Sequence, residues 1–205
     1  MVMEQALAFL QQPQLAIPIV AVTVVAIFLT GRRWTALYVG LMPVINWAFA
    51  GISTIPIPED FGGGSWHPFT VITGLVLVVR EFAQREIKHW IFGAMLIGLA
   101  LSTLTAWPVI VVASGAAFLI SETADWAVYT FSNRPLSQRI MISSTISAPI
   151  DQLLFIYLAS LVVPGIFAWG SIVTGIISKL VGAYFVSRVV AAQERRRLQN
   201  DMNPA

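Results

Sequence analysis

The sequence predicts an all-α integral membrane protein, a bundle of about seven transmembrane helices with the N-terminus outside and the C-terminus in the cytoplasm. Composition is the first reason. Of 205 residues, 57% are hydrophobic and 11% are charged, with a mean hydropathy of +0.79; a soluble domain carries about 25% charged residues. So little charge cannot cover a surface in water, and so many aliphatic and aromatic residues exclude disorder. The second reason is that the apolar residues gather into runs close to the roughly 20 residues needed to cross a ~30 Å hydrocarbon core. The third is where the basic residues sit. With an outer N-terminus, Arg32, Arg33, Arg85, Lys88, Arg134 and Arg139 all fall in cytoplasmic loops. Arg195, Arg196 and Arg197 lie in the C-terminal tail, and Arg80 and Arg188 near inner helix ends. Eleven of the twelve basic residues are thus on or near one side, as the positive-inside rule expects.

The spans run, in order, over Gln14–Gly31, Trp34–Pro56, His67–Gln84, His89–Trp107, Pro108–Phe131, Ile140–Val163 and Trp169–Ala192. Turn-forming residues separate them at Pro56–Pro58, Gly62–Gly64, Trp107–Pro108 and Pro164–Gly165. The first span is read as a permanent helix rather than a signal peptide, because Glu4 precedes it without any basic residue and no small-residue cleavage site follows. The whole chain reads as a single transmembrane domain: an additional N-terminal helix over 13–33, a six-helix core over 34–192, and a basic cytoplasmic tail over 193–205 that is expected to fray. Trp34, Trp66, Trp90, Trp107 and Trp169 fall near span ends, where an aromatic belt is expected.

Ionisable side chains inside a bilayer are costly and face the bundle interior or a cavity. At about 1.5 Å rise per residue, Glu122 and Asp125 in the fifth span, Asp151 in the sixth, Lys179 in the seventh and Arg80 and Glu81 in the third share overlapping depths. Glu122 and Asp125, three residues apart, project from one helix face. An interhelical salt-bridge network that only fixes packing would explain an isolated pair. Four carboxylates and two cations converging from four helices favour a polar substrate site. Pro149 adds to this, because proline beside Asp151 removes a backbone hydrogen bond at membrane depth. Asn46 is a lone amide deep in the second span, read equally as a ligand contact or a helix–helix hydrogen bond. Trp126 offers a ring that could stack on a planar ligand.

Enzymatic chemistry finds no support in the sequence. There is no cysteine and there are only two histidines, His67 and His89. No nucleophile elbow, paired metal ligands or phosphate-cradling loop with a following lysine occurs. The chain is therefore expected not to be an enzyme, to need no cofactor or metal, and not to bind nucleic acid.

Four patches carry a resemblance to a known family. They are Gly74-Leu75 followed by Arg80-Glu81-Phe82-Ala83-Gln84-Arg85; Ser121-Glu122-Thr123-Ala124-Asp125-Trp126-Ala127-Val128-Tyr129; Ser147 through Asp151 to Phe155; and Gly175 through Lys179. In order and spacing they resemble the VUT family of queuosine-precursor transporters over roughly residues 35–190. The chain departs from the family pattern at Thr73-Gly74, where many members have Thr-Asp, and at Ala148-Pro149, where many have a Gln before the Asp.

The resemblance implies a six-helix transporter core in the cell (inner) membrane, multi-pass, importing a 7-deazaguanine such as 7-cyano-7-deazaguanine. The expected partners are this purine-like base and the lipid bilayer, and a homo-oligomer is compatible with the pattern. A guanine-like edge presents adjacent N–H donors that a buried carboxylate accepts in bidentate fashion. Its carbonyl needs a donor and its ring needs flat walls. The expected substrate site accordingly draws on Glu122, Asp125, Asp151, Lys179, Arg80, Glu81, Asn46, Trp126 and Phe155, with Lys179 as counter-charge and one carboxylate as a candidate proton carrier. Two other classes stay open: a substrate-binding membrane subunit of an ATP-driven vitamin-type importer, and a structural membrane protein with a salt-bridged core.

Overall fold

The structure, a computed structural model, describes residues 11–202 apart from Trp107, Asn133 and Pro164. Seven α-helices follow one another among the described residues: α1 (Pro13–Leu29), α2 (Arg33–Gly51), α3 (Thr70–Ile87), α4 (Ile91–Ser102), α5 (Pro108–Phe131), α6 (Leu136–Ser160) and α7 (Trp169–Met202). Three of them, α5, α6 and α7, contain stretches long and apolar enough to cross a membrane by length and composition, and α1 is a shorter apolar helix.

Local chemistry explains the boundaries. Pro13 opens α1, where its missing N–H and fixed φ cost nothing. Gly31, at φ +82°, turns the chain back into α2. The first turn of α2 is capped from outside: the Glu86 carboxylate, at the end of α3, accepts from the N–H groups of Trp34 and Thr35 and from the Thr35 hydroxyl at 2.9–3.1 Å. An anion placed there also meets the positive end of the helix dipole.

Several predicted boundaries move. The second span ends at Gly51, because the chain turns into a short antiparallel hairpin pairing Ile55 with Trp66 and Pro56 with Ser65, labelled β1 (Ile55–Pro56) and β2 (Ser65–Trp66). A 3₁₀ turn (Glu59–Phe61) and the left-handed glycines Gly62, Gly63 and Gly64 close its tip. The fourth span shortens to α4, preceded by a 3₁₀ turn over Lys88–Trp90. α6 passes Pro149 without interruption. The tail expected to fray continues α7 to Met202 over 34 residues in all. Its Gln-Glu-Arg-Arg-Arg-Leu-Gln stretch consists of strong helix formers, and Glu194 accepts a hydrogen bond from Ser137 of α6 at 2.7 Å.

The helices pack as neighbours α5 with α6, α6 with α7, α7 with α3, α3 with α2, α2 with α4, and α1 on α2. The core between α2, α3 and α4 holds Tyr38, Val39, Met42, Val76, Ala83, Ile91 and Met95. A second apolar cluster of Val78, Leu136, Ile140, Ala183 and Val190 joins α3, α6 and α7. Outward faces are apolar as well: Val173, Ile177, Val181 and Phe185 form an exposed stripe along α7, as expected where the surrounding solvent is lipid.

Glycine sets the closest helix crossing. A Cβ on Gly74 would collide with the Lys179 backbone carbonyl, and one on Gly182 would approach the Val71 carbonyl to 2.9 Å. These small residues let α3 and α7 meet backbone to backbone, which fixes where Lys179 stands.

Candidate functional site

Five of the long elements enclose a central cavity of about 480 Å³, within the roughly 300–1,000 Å³ range of small-molecule sites. α2 contributes Asn46 and Phe49, α3 Thr73 and Leu77, α5 Ser114 and Phe118, α6 Asp151, Gln152 and Phe155, and α7 Ser171, Gly175 and Lys179. The hairpin closes one end with Ser65, Trp66 and His67.

That cap is fastened to α7. Ser171 Oγ accepts from the Ser65 N–H and donates to the Ser65 carbonyl, both at 2.8 Å, and the Gly170 N–H donates to the Gly62 carbonyl at 3.1 Å. Trp66 Nε1 donates to Ser178 Oγ at 2.8 Å. Any side chain at Gly170 would strike the Gly63 carbonyl. His67 stacks on Phe49, with ring centroids 4.1 Å apart. Its Nδ1 accepts from the Phe69 N–H, which can only donate; Nε2 must then carry the proton and donate to the Ile52 carbonyl, each at 3.1 Å. Burial holds this imidazole, which precedes α3, below its ordinary pKa near 6.5.

The charged residues divide into two groups. In the cavity, Lys179 Nζ of α7 donates to Asp151 Oδ2 of α6 at 2.5 Å, and the two side chains keep 5% and 16% of their accessibility. Beside them Gln152 donates through Nε2 to the Ser171 carbonyl at 3.2 Å. Its amide fills the space that a side chain on Gly175 would take. Asn46 donates to the Met42 carbonyl and to Ser102 Oγ of α4, both at 3.0 Å, and also lines the cavity. The helix–helix hydrogen bond is therefore formed, by an amide that also borders the cavity.

One turn further along α3 and α5, a second group is sealed off. Arg80, Glu81, Glu122 and Asp125 are 0%, 1%, 1% and 1% exposed, and none lines the central cavity. Arg80 Nε is hydrogen-bonded to Glu122 Oε2 and Arg80 Nη2 donates to the Glu122 backbone carbonyl at 3.1 Å. Arg80 Nη1 lies 3.3 Å from Glu81 Oε1 and 3.7 Å from Asp125 Oδ2. Ser143 donates to Glu81 at 3.2 Å, and Ser143 and Ser147 of α6 face Asp125.

Of the predicted site residues, the structure therefore brings Asp151, Lys179, Asn46 and Phe155 to one cavity. It gathers Arg80, Glu81, Glu122 and Asp125 in another place, and the counter-charge of Glu122 is Arg80 rather than Lys179. Trp126 belongs to neither group; it packs on His89, Phe92 and Phe131 and donates to His89 Nδ1 at 3.2 Å. Sequence reasoning missed Gln152 in the cavity, and Tyr38, Ser143 and Ser147 around the sealed group. It also placed Trp66 in the belt, whereas this indole lines the cavity. Adjacency to Asp151 was the available signal for Gln152, and the Ser143-Ser144-Thr145-Ile146-Ser147 run was the signal for the serines.

The cavity thus offers one acid–base pair, two carboxamides, several hydroxyls and the rings of Phe49, Phe118, Phe155 and Trp66. Such walls suit a small planar molecule that carries both donors and acceptors. A family model described as "Putative vitamin uptake transporter" matches residues 68–193, which take in α3 through most of α7 and so both charged groups. No curated protein and no solved structure matches the chain. With more than half of its length matched, this membrane protein belongs to the vitamin uptake transporter family.

Proposed function

We propose that the protein is a multi-pass carrier of the cell (inner) membrane that imports a 7-deazaguanine base, with proton coupling through a buried carboxylate. In this reading the chain crosses the bilayer seven times, N-terminus outside, with the short α4 completing its crossing through the turns at Lys88–Trp90 and after Ser102. α1 is an addition in front of a six-helix core, and the basic tail is cytoplasmic. The hairpin then caps the outer end of the cavity.

The observation that supports this reading most directly is the Asp151–Lys179 pair in a cavity walled by rings and carboxamides. A deazaguanine presents adjacent N–H donors on one edge and a carbonyl acceptor beside them. Asp151 accepts from the first and Lys179 donates to the second, so the base replaces one internal ion pair by two matched contacts. Asn46 and Gln152 serve the remaining polar positions, and Phe155 with Phe49 or Phe118 covers the ring faces. Desolvation costs are low because Asp151 and Lys179 are already withdrawn from water, and a partner lost on one side is regained from the ligand.

The test is uptake of labelled 7-cyano-7-deazaguanine by proteoliposomes containing only the purified chain. Saturable uptake that disappears in Asp151→Asn is the expected result. Binding without uptake would favour a subunit that needs an ATP-hydrolysing partner, and neither binding nor uptake would remove this substrate class.

A further inference from the structure

The sealed group around Arg80 plays no part in the cavity, yet its composition is unusual for packing alone. Three carboxylates, Glu81, Glu122 and Asp125, surround a single buried guanidinium. The titratable and charged groups that face them are Tyr38 from α2, Arg80 within α3, and Arg139 from α6, which faces Glu81. Counted fully ionised, the three carboxylates against Arg80 and Arg139 leave one uncompensated negative charge at near-zero exposure, which a low-dielectric interior disfavours.

The partners are unevenly shared. Glu122 holds the Nε edge of Arg80, and Glu81 has Arg80 Nη1, Ser143 and Arg139. Asp125 stands 3.7 Å from the guanidinium with the serine hydroxyls beside it. Among the described residues, the buried atoms Tyr38 Oη, Glu81 Oε2, Glu122 Oε1, both carboxylate oxygens of Asp125 and Ser147 Oγ have no hydrogen-bond partner. The carboxylates are not disposed to hold a metal ion among the described residues. They line neither the central cavity nor the smaller one between Arg85, Arg139 and Glu194. A ligand with one positive charge and almost no volume satisfies all of these conditions.

We propose that the Arg80–Glu81–Glu122–Asp125 cluster is a proton-binding site distinct from the substrate cavity, with Asp125 as the carboxylate that takes the proton. As a coupling site it rests on the carrier reading above. The placement suits coupling: Leu77 and Phe118 line the cavity, and Glu81 and Glu122 follow each of them by four residues, one helical turn. On α6, Asp151 lines the cavity, and Ser147 and Ser143 sit one and two turns before it. Protonation removes the carboxylate of Asp125 from the field of Arg80. Three of the helices that line the cavity thereby feel whether the proton is bound.

The experiment uses the full chain in lipid vesicles and infrared difference spectra recorded as pH is stepped across the neutral range. The expected result is the carbonyl-stretch band of a protonated carboxylic acid, lost in Asp125→Asn and kept in Asp151→Asn. Ser147→Ala, which keeps the carboxyl group, should shift its frequency, so the assignment survives even if Asp125→Asn does not fold. In proteoliposomes, an inward proton gradient should raise 7-cyano-7-deazaguanine uptake several-fold in the wild type and not in Asp125→Asn. Absence of the band, its loss in Asp151→Asn instead, or stimulation by a sodium gradient in place of a proton gradient would overturn the proposal. The spectra need no substrate, so a failure of uptake with an intact band removes the substrate assignment and leaves the proton site standing.

Discussion

Lys179 of α7 and Asp151 of α6 meet inside the cavity at 2.5 Å, while Gly74 of α3 presses on the backbone of the same lysine. The pair therefore stands at the junction of three helices, and its two possible jobs, holding helices and holding ligand, separate on mutation. Asp151→Asn or Lys179→Gln alone leaves a withdrawn charge unpaired and should cost about 1–3 kcal/mol of stability. The double variant should recover most of that loss in thermal unfolding, because neither side then carries a charge. Binding of 7-cyano-7-deazaguanine should stay at least tenfold weaker in all three. Recovery of binding in the double variant would make the pair a packing device.

Arg80 predicts a harsher outcome. Arg80→Met removes the guanidinium contacts of three buried carboxylates, and breaking a buried ion pair from one side costs about 3–5 kcal/mol. Size-exclusion profiles in detergent should show most of the protein aggregated. Arg80→Lys should rescue little, since an ammonium cannot reach the Glu122 carboxylate and the Glu122 carbonyl together as the guanidinium fork does.

The α3–α7 crossing predicts a contrast between two glycines. Gly74→Ala forces a methyl against the Lys179 carbonyl and should lower stability by about 1–3 kcal/mol, as overpacking does. Gly93→Ala in α4 meets only the Trp90 ring at 3.8 Å and should be neutral or slightly stabilising, because alanine favours helix. Paired melting curves check both.

His67 predicts a pH effect at the capped end. Its folded-state pKa is depressed, so the neutral ring is the form that stabilises the fold. That contribution is fully present above the unfolded value near 6.5 and declines as pH falls below it. Protonated Nδ1 would also oppose the Phe69 N–H it now accepts from. The melting temperature of the wild type should drop on acidification through this range. His67→Gln should lack that part of the drop.

Helix positions were legible because hydrophobic run length and turn residues report them directly. Which charges share a site was not. Glu122 faces Arg80 and Lys179 faces Asp151, and the two groups stand one helical turn apart along α3 and α5, a step no larger than the few residues by which hydropathy places a span end. α6 carries polar residues on buried and exposed sides alike, Ser143 and Ser147 on one and Gln138 and Thr145 on the other, so no single stripe marks its inward face and the two charged groups read as one site. The span over Trp34–Pro56 ran too long for a related reason: Ile52 and Ile55 are apolar, but Ile52 caps the end of α2 and Ile55 belongs to the hairpin. The Ser65–Ser171 clasp joins residues 106 positions apart, and no local pattern announces it.

At about 1.5 Å per residue the 34 residues of α7 extend roughly 50 Å, well past a ~30 Å hydrocarbon layer. One end grips the hairpin, and further along the backbone bears on Gly74. A single uninterrupted rod therefore ties the cap of the cavity to the arginine-rich overhang, so that both extremities belong to one continuous helix.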